Sequence, residues 1–129
     1  MIKKTFIPQG AVIVGPYSPA VEAGGFVYFS GQIPIDSKTG KIIDGDIKAQ
    51  TQQCLKNLSA VLEAAGVTSD DIVKTTVYLI DMVDYAVVNE VYGEYFKAPY
   101  PARTAIAVCA LPLGSKVEIE VLARKCING

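Results

Sequence analysis

From Thr104 to Ala110 every residue is small or apolar, the pattern of a strand buried on both of its faces. A second strand follows at once. Val117, Ile119, Val121 and Ala123 alternate with Glu118, Glu120 and Leu122, so one face is apolar and the other carries two carboxylates. Pro112 and Gly114 break the chain between the two strands. Whatever else the chain does, it has to cover this pair. Upstream, Asp46 to Ala65 places Ile47, Thr51, Cys54, Leu55, Leu58, Leu62 and Ala65 on one side at helical spacing. Asp44 or Asp46 is the candidate N-cap, and Gly66 is the stop. A second helix starts at Asp81 or Asp84 and runs to about Phe96, with Tyr85, Val88, Val91, Tyr92, Tyr95 and Phe96 inward. Two helices of this size cover one face of a mixed sheet and no more. The other face of Thr104–Ala110 is then left for a further copy of the chain.

The remaining segments fill in the order. An edge strand and turn precede residue 14, around Pro8-Gln9-Gly10. Gly15-Pro16-Tyr17-Ser18-Pro19 is too rich in glycine and proline for regular structure and holds Tyr17 on a stiff loop. Ala20–Ala23 and Phe26–Ser30 flank Gly24-Gly25, a hairpin signal. Gly31 permits a close backbone approach at the end of that hairpin. Residues 34 to 45 read as a surface loop. Ile72 to Ile80 reads as a strand with Val73, Val77 and Leu79 on one face. The expected order is β-β-β-α-β-α-β-β in one α+β domain spanning residues 1–129.

Several kinds of chemistry are disfavoured. There is no histidine, which removes histidine-based triads and histidine-containing zinc sites. The net charge of −1 comes with no basic cluster to draw nucleic acid or anionic lipid. No apolar run is long enough to span a bilayer, and the start does not read as an export signal. Cys54, Cys109 and Cys126, an odd number without CxxC spacing, read as free thiols in a reducing, cytoplasmic setting.

Arg103 and Glu118 remain as the charges set against an apolar background. A guanidinium fork matches a carboxylate two bonds at a time. A carboxylate close by could neutralise it in a structural pair, or, held apart, could take a proton from water. Spacing alone leaves both readings open. It also cannot separate Glu118 from Glu120, which share a face.

The wording of the segment resembles the Rid family, also called YjgF, of reactive intermediate deaminases. The residues are Pro101-Ala102-Arg103, Leu111-Pro112 and Val117-Glu118-Ile119-Glu120-Val121-Leu122-Ala123. Matching pieces lie upstream in order: Gly15-Pro16-Tyr17-Ser18, Phe29-Ser30-Gly31-Gln32-Ile33-Pro34, Val88-Asn89 with Tyr92, and Tyr95-Phe96. The resemblance implies a chorismate-mutase-like fold, with a mixed sheet and two helices on one face, and a homotrimer whose sheets form a central barrel with ligand sites between subunits. It implies hydrolysis of 2-imino or enamine acids, released by pyridoxal-phosphate enzymes, to a 2-oxo acid and ammonia. Arg103 would clamp the substrate carboxylate, Glu118 would orient or activate water, and Tyr17 would line the pocket. Ser30, Gly31 and Asn89 match pocket or supporting positions. No cofactor or metal is implied, because an imine is already electrophilic. Many relatives have a cysteine two residues after the arginine, where this chain has Ala105. The alternatives that the family admits are a non-catalytic 2-oxo acid-binding or regulatory protein, and an endoribonuclease or translation inhibitor. The charge balance argues against the last.

Overall fold

A computed structural model describes residues 2–125. Six strands form one sheet in the order β1-β2-β3-β8-β6-β7. β1 is Lys4–Phe6, β2 Ala20–Ala23, β3 Phe26–Phe29, β6 Ile72–Leu79, β7 Ala102–Ala107 and β8 Val117–Arg124. Every contact in this sheet is antiparallel except β6 with β7, which is parallel and bridged by helix α2, Tyr85–Tyr95. Helix α1, Ile47–Ala65, lies beside α2 on the same face. The mixed sheet with two helices on one face therefore forms as expected. Residues 34–45 are not purely loop: β4, Ile35–Asp36, pairs with β5, Lys41–Ile42, in a separate two-stranded ribbon. Strands of two residues are too short to leave a period-2 pattern in the sequence.

Local rules account for most boundaries. The Asp46 carboxylate accepts the Ala49 amide at 2.9 Å and starts α1, and Gly66 ends it in the left-handed region at φ 75°. Gly24 and Gly25 turn β2 into β3 with φ of 61° and 84°, the mirror-image turn that suits a right-twisted hairpin. Val117, Ile119, Val121 and Ala123 all face the helices and are buried among Cys54, Leu55, Leu58 and Leu62. Burying that many aliphatic side chains, at about 1.5–3 kcal/mol each, is the main force holding the layers together.

Two expectations about strands need correction. Val73 does not share a face with Val77 and Leu79. The β6–β8 ladder slips between Ile72 and Lys74, so Ile72 turns inward and Val73 stays 43% exposed. The apolar strand expected over Thr104–Ala110 runs instead from Ala102 to Ala107, and it forms an edge of the sheet. Ala105 packs toward the core on one side, whereas Ile106 on the other side is 42% exposed. Within one chain, β7 is covered on one face only. Among the described residues, no helix is long and apolar enough to cross a membrane. Cys54 is a buried free thiol and Cys109 an exposed one; Cys126 lies outside the described residues.

Candidate active site in two halves

The ladder decides which way each polar residue of the key segment points. Thr75 pairs with Val121 on one side and with Arg103 on the other, so Arg103 shares the helix-covered face with both. Glu118 pairs with Tyr78, and Glu120 with Thr76, so both glutamates lie on the open face. Arg103 and Glu118 thus sit on opposite faces of one sheet. The structural Arg–Glu pair left open by the spacing does not form: among the described residues the one ion pair is Lys125 with Glu22, at 3.0 Å.

Around Arg103 the crossover from β6 through α2 to β7 builds an aromatic cradle. The guanidinium lies 4.7 Å from the ring centre of Tyr92 and 5.6 Å from that of Tyr85. Arg103 Nη2 donates to the Tyr85 hydroxyl at 2.8 Å. Tyr92 is fixed in turn by a 2.8 Å hydrogen bond between its hydroxyl and that of the fully buried Thr75. Burial raises the Tyr92 hydroxyl above its ordinary pKa, so it stays neutral under the guanidinium. Asn89, four residues after Tyr85 and three before Tyr92, shares that side of α2. A fork stacked on one ring and hydrogen-bonded at one nitrogen keeps its orientation and retains donors for a carboxylate.

The second half lies on and beside the open face. Gly31 follows β3, and its neighbour Gln32 exchanges two backbone hydrogen bonds with Ile119, at 2.8 and 3.0 Å. This lays Gly31 directly against Glu118: a Cβ at position 31 would fall 1.9 Å from Glu118 Oε2. Glycine serves here to leave room for the Glu118 side chain rather than to permit a special backbone conformation, since Gly31 is not among the residues with positive φ. Burial first, and then the charge of Glu120, raise the Glu118 carboxyl above its ordinary pKa. Such a shift suits a group that must take up a proton near neutral pH. Glu120 is engaged differently: the Tyr78 hydroxyl donates to its carboxylate in a short hydrogen bond. The structure thereby separates two glutamates that spacing could not.

Ser30 ties this half to the loop before it. Its hydroxyl donates to the Ser18 carbonyl at 2.7 Å and its amide to the Pro19 carbonyl at 2.9 Å. That anchors the segment carrying Tyr17, which is 45% exposed. Tyr17 and Gly31 line one cavity of about 360 Å³, whose walls also include the 8–12 segment and Gln53 and Asn57 of α1. The predicted residues therefore fall into two groups: Arg103 with Asn89, and Glu118 with Gly31, Ser30 and Tyr17.

This arrangement sits on a fold shared with known proteins. Residues 9–125 match the family model described as Endoribonuclease L-PSP. The chain belongs to the Rid, or YjgF, family. It is 55% identical over 112 residues to a RutC family protein of Pyrococcus horikoshii, covering 87% of this chain and 89% of that one. It is 46% identical over 110 residues to the human 2-iminobutanoate/2-iminopropanoate deaminase, covering 85% and 80%. The crystal structure of Escherichia coli TdcF with bound serine superimposes with a TM-score of 0.89 at 39% identity, over 95% of this chain and 99% of that one. The YjgF-like architecture expected from the sequence is therefore the fold of this chain.

Sequence reasoning missed the functional setting of Tyr85, Tyr92 and Tyr78. The first two were legible as inward helix residues, but only as packing. The signal that could have placed them beside Arg103 was the β-α-β order around α2, which lays that helix against the strand following it. Tyr78 had no such signal, because its partner Glu120 is chosen by the register of a strand 42 residues away.

Proposed function

We propose that the protein hydrolyses 2-imino acids to 2-oxo acids and ammonia, in sites that each combine Arg103 of one copy with Glu118 of its neighbour. One observation carries this reading: Arg103 and Glu118 occupy opposite faces of the same sheet, each dressed for chemistry and neither able to serve the other. A second copy laid against the bare edge and open face brings the two halves together, and it also covers the apolar side of β7. Arg103 binds the substrate carboxylate through the donors left free by Tyr85. Glu118 accepts a proton from water while the water oxygen forms a bond to the imine carbon and the C=N π electrons move to nitrogen. The proton held by Glu118 passes to nitrogen, giving the carbinolamine; Glu118 then takes the hydroxyl proton and delivers it to nitrogen as C=O forms, the C–N bond breaks and ammonia leaves. Placement of the water beside a fixed electrophile supplies most of the acceleration. The relative named for 2-iminobutanoate and 2-iminopropanoate, and the neighbour with bound serine, both concern small α-substituted carboxylic acids, which is the class that Arg103 suits.

Complementation between copies tests the reading. Arg103→Lys and Glu118→Gln homo-oligomers should each lose at least about tenfold in kcat/KM, roughly 1.4 kcal/mol. Co-refolded in equal amounts, they should regain about a quarter of the wild-type sites, because a site is intact only when its Arg103 comes from the Glu118→Gln variant and its Glu118 from the Arg103→Lys variant. No recovery in the mixture refutes the composite site, and so does a monomer in light scattering at micromolar concentration. Unchanged turnover by both variants refutes the chemistry. Binding of 2-oxo acids without turnover of any imine favours a regulatory binder, and RNA cleavage unaffected by either variant favours the nuclease activity in the family description.

A further inference from the structure

We propose that Asn57 and Gln50 of α1 are positioning residues, which hold Gly31 and Glu118 against each other through the main chain on either side of them. The inference rests on the reading of Glu118 as the group that draws the proton from water. Gln50, Gln53 and Asn57 fall at i, i+3 and i+7 and form one stripe along about 10 Å of the helix. Shielded amides persist where their polar atoms are paired. Gln50 is only 5% exposed, and its Oε1 accepts the Lys116 amide at 2.9 Å, two residues before Glu118. Asn57 Nδ2 donates to the Ile33 carbonyl at 3.0 Å and to the Ile35 carbonyl at 2.9 Å, two and four residues after Gly31. Gln53 joins them: its Nε2 donates to Asn57 Oδ1 at 2.8 Å and to the Ile35 carbonyl at 3.4 Å.

The contact between Gly31 and Glu118 needs this support. β3 ends at Phe29, and beyond it Gln32 meets Ile119 in an isolated bridge rather than in a continuing ladder. One bridge sets the register but leaves the 31–35 segment free to pivot about it. The amides of α1 remove that freedom. One end of the stripe fixes the chain leading into Glu118, and the other fixes the chain leaving Gly31, so a single helix sets their separation. Asn57 borders the cavity beside Gly31, yet both of its donors and its acceptor are taken up within the protein. It therefore acts on substrate through the placement of Gly31 and Glu118, not by binding.

The test compares Asn57→Leu, which keeps the bulk and loses both donors, with Ser59→Ala, which removes a 2.6 Å bond from the same helix to the Tyr95 hydroxyl of α2. In Asn57→Leu, kcat for imine hydrolysis should fall about tenfold with KM within about twofold, because Arg103 still holds the carboxylate. The Gln32 and Ile119 amides should exchange with solvent about tenfold faster, read by NMR on the intact assembled protein, as their bridge loosens. Ser59→Ala should change neither. Gln50→Met, which frees the Lys116 amide, should lower kcat in the same way, and it carries the test if Asn57→Leu does not fold. In a Glu118→Gln background, Asn57→Leu should take less than about twofold from the residual turnover, since nothing is left to position. Wild-type kcat in Asn57→Leu and Gln50→Met overturns the proposal. So does a tenfold loss that persists in the Glu118→Gln background, or that Ser59→Ala reproduces, because either marks a general loosening of α1. Faster exchange of Gln32 and Ile119 alongside full turnover by Glu118→Gln upholds the clamp and removes the water-activating role instead.

Discussion

Replacing Gly31 by alanine tests the glutamate half of the site with a single methyl group. The added Cβ would lie 1.9 Å from Oε2, 2.8 Å from Cδ and 3.0 Å from Cγ of Glu118. To restore ordinary van der Waals separation, the carboxylate has to retreat by about 1.5 Å. The backbone need not move, because position 31 is not in the left-handed region and the obstructing group is the far end of a flexible side chain. Folding stability should therefore change little. A displacement of this order costs about a hundredfold in rate when a reacting group is misplaced, or roughly 2.7 kcal/mol of transition-state stabilisation. The assay generates an imine from an amino acid with a second enzyme and follows its decay, while thermal unfolding is measured on the same sample. Gly31→Ala should lose about a hundredfold in kcat/KM with its melting temperature within a few degrees of wild type. Adding Glu118→Asp, which shortens the side chain by one methylene, should return part of that loss, a departure from additivity expected only of residues in contact. Wild-type turnover in Gly31→Ala refutes the reasoning, and so does a double variant worse than the product of the two singles.

Three further outcomes follow from the same structure. Tyr85→Phe keeps the ring beside Arg103 but removes the hydrogen bond at Nη2, so KM for carboxylate substrates should rise about fivefold with kcat nearly unchanged, as steady-state kinetics would show. Thr75→Val leaves the buried Tyr92 hydroxyl without a partner and should cost about 1–3 kcal/mol, read from the urea unfolding midpoint. Native alkylation followed by mass spectrometry should label Cys109 and spare Cys54, whose thiol is fully buried and pushed far up by that burial; Cys54 should react only after unfolding.

Much of this molecule could be read from its amino acids. The periodicity of Asp46–Ala65, its aspartate cap and its glycine stop are local properties, encoded within a turn or two of the residues they govern. The Gly24-Gly25 hairpin is the same kind of feature, as is the alternation of Val117–Ala123. The two-residue ribbon of β4 and β5 was not legible, because nothing so short can show a period. The slip at Val73 escaped because a bulge inverts the facing of one residue without altering composition. The site divides along the same line. Arg103, Glu118, Gly31 and Tyr17 stood out as residues, but their grouping did not. Whether two side chains on neighbouring strands share a face depends on pairing direction and register, and these are set by contacts across the chain: β6 pairs parallel with β7 on one side and antiparallel with β8 on the other. That ladder sends Arg103 to the helices and Glu118 to the open face, and it delivers the Tyr78 hydroxyl to Glu120. The sequence by itself determined the chemical groups and the elements that carry them. Only the tertiary structure decided that one chain holds Arg103 and Glu118, the two halves of the proposed site, apart.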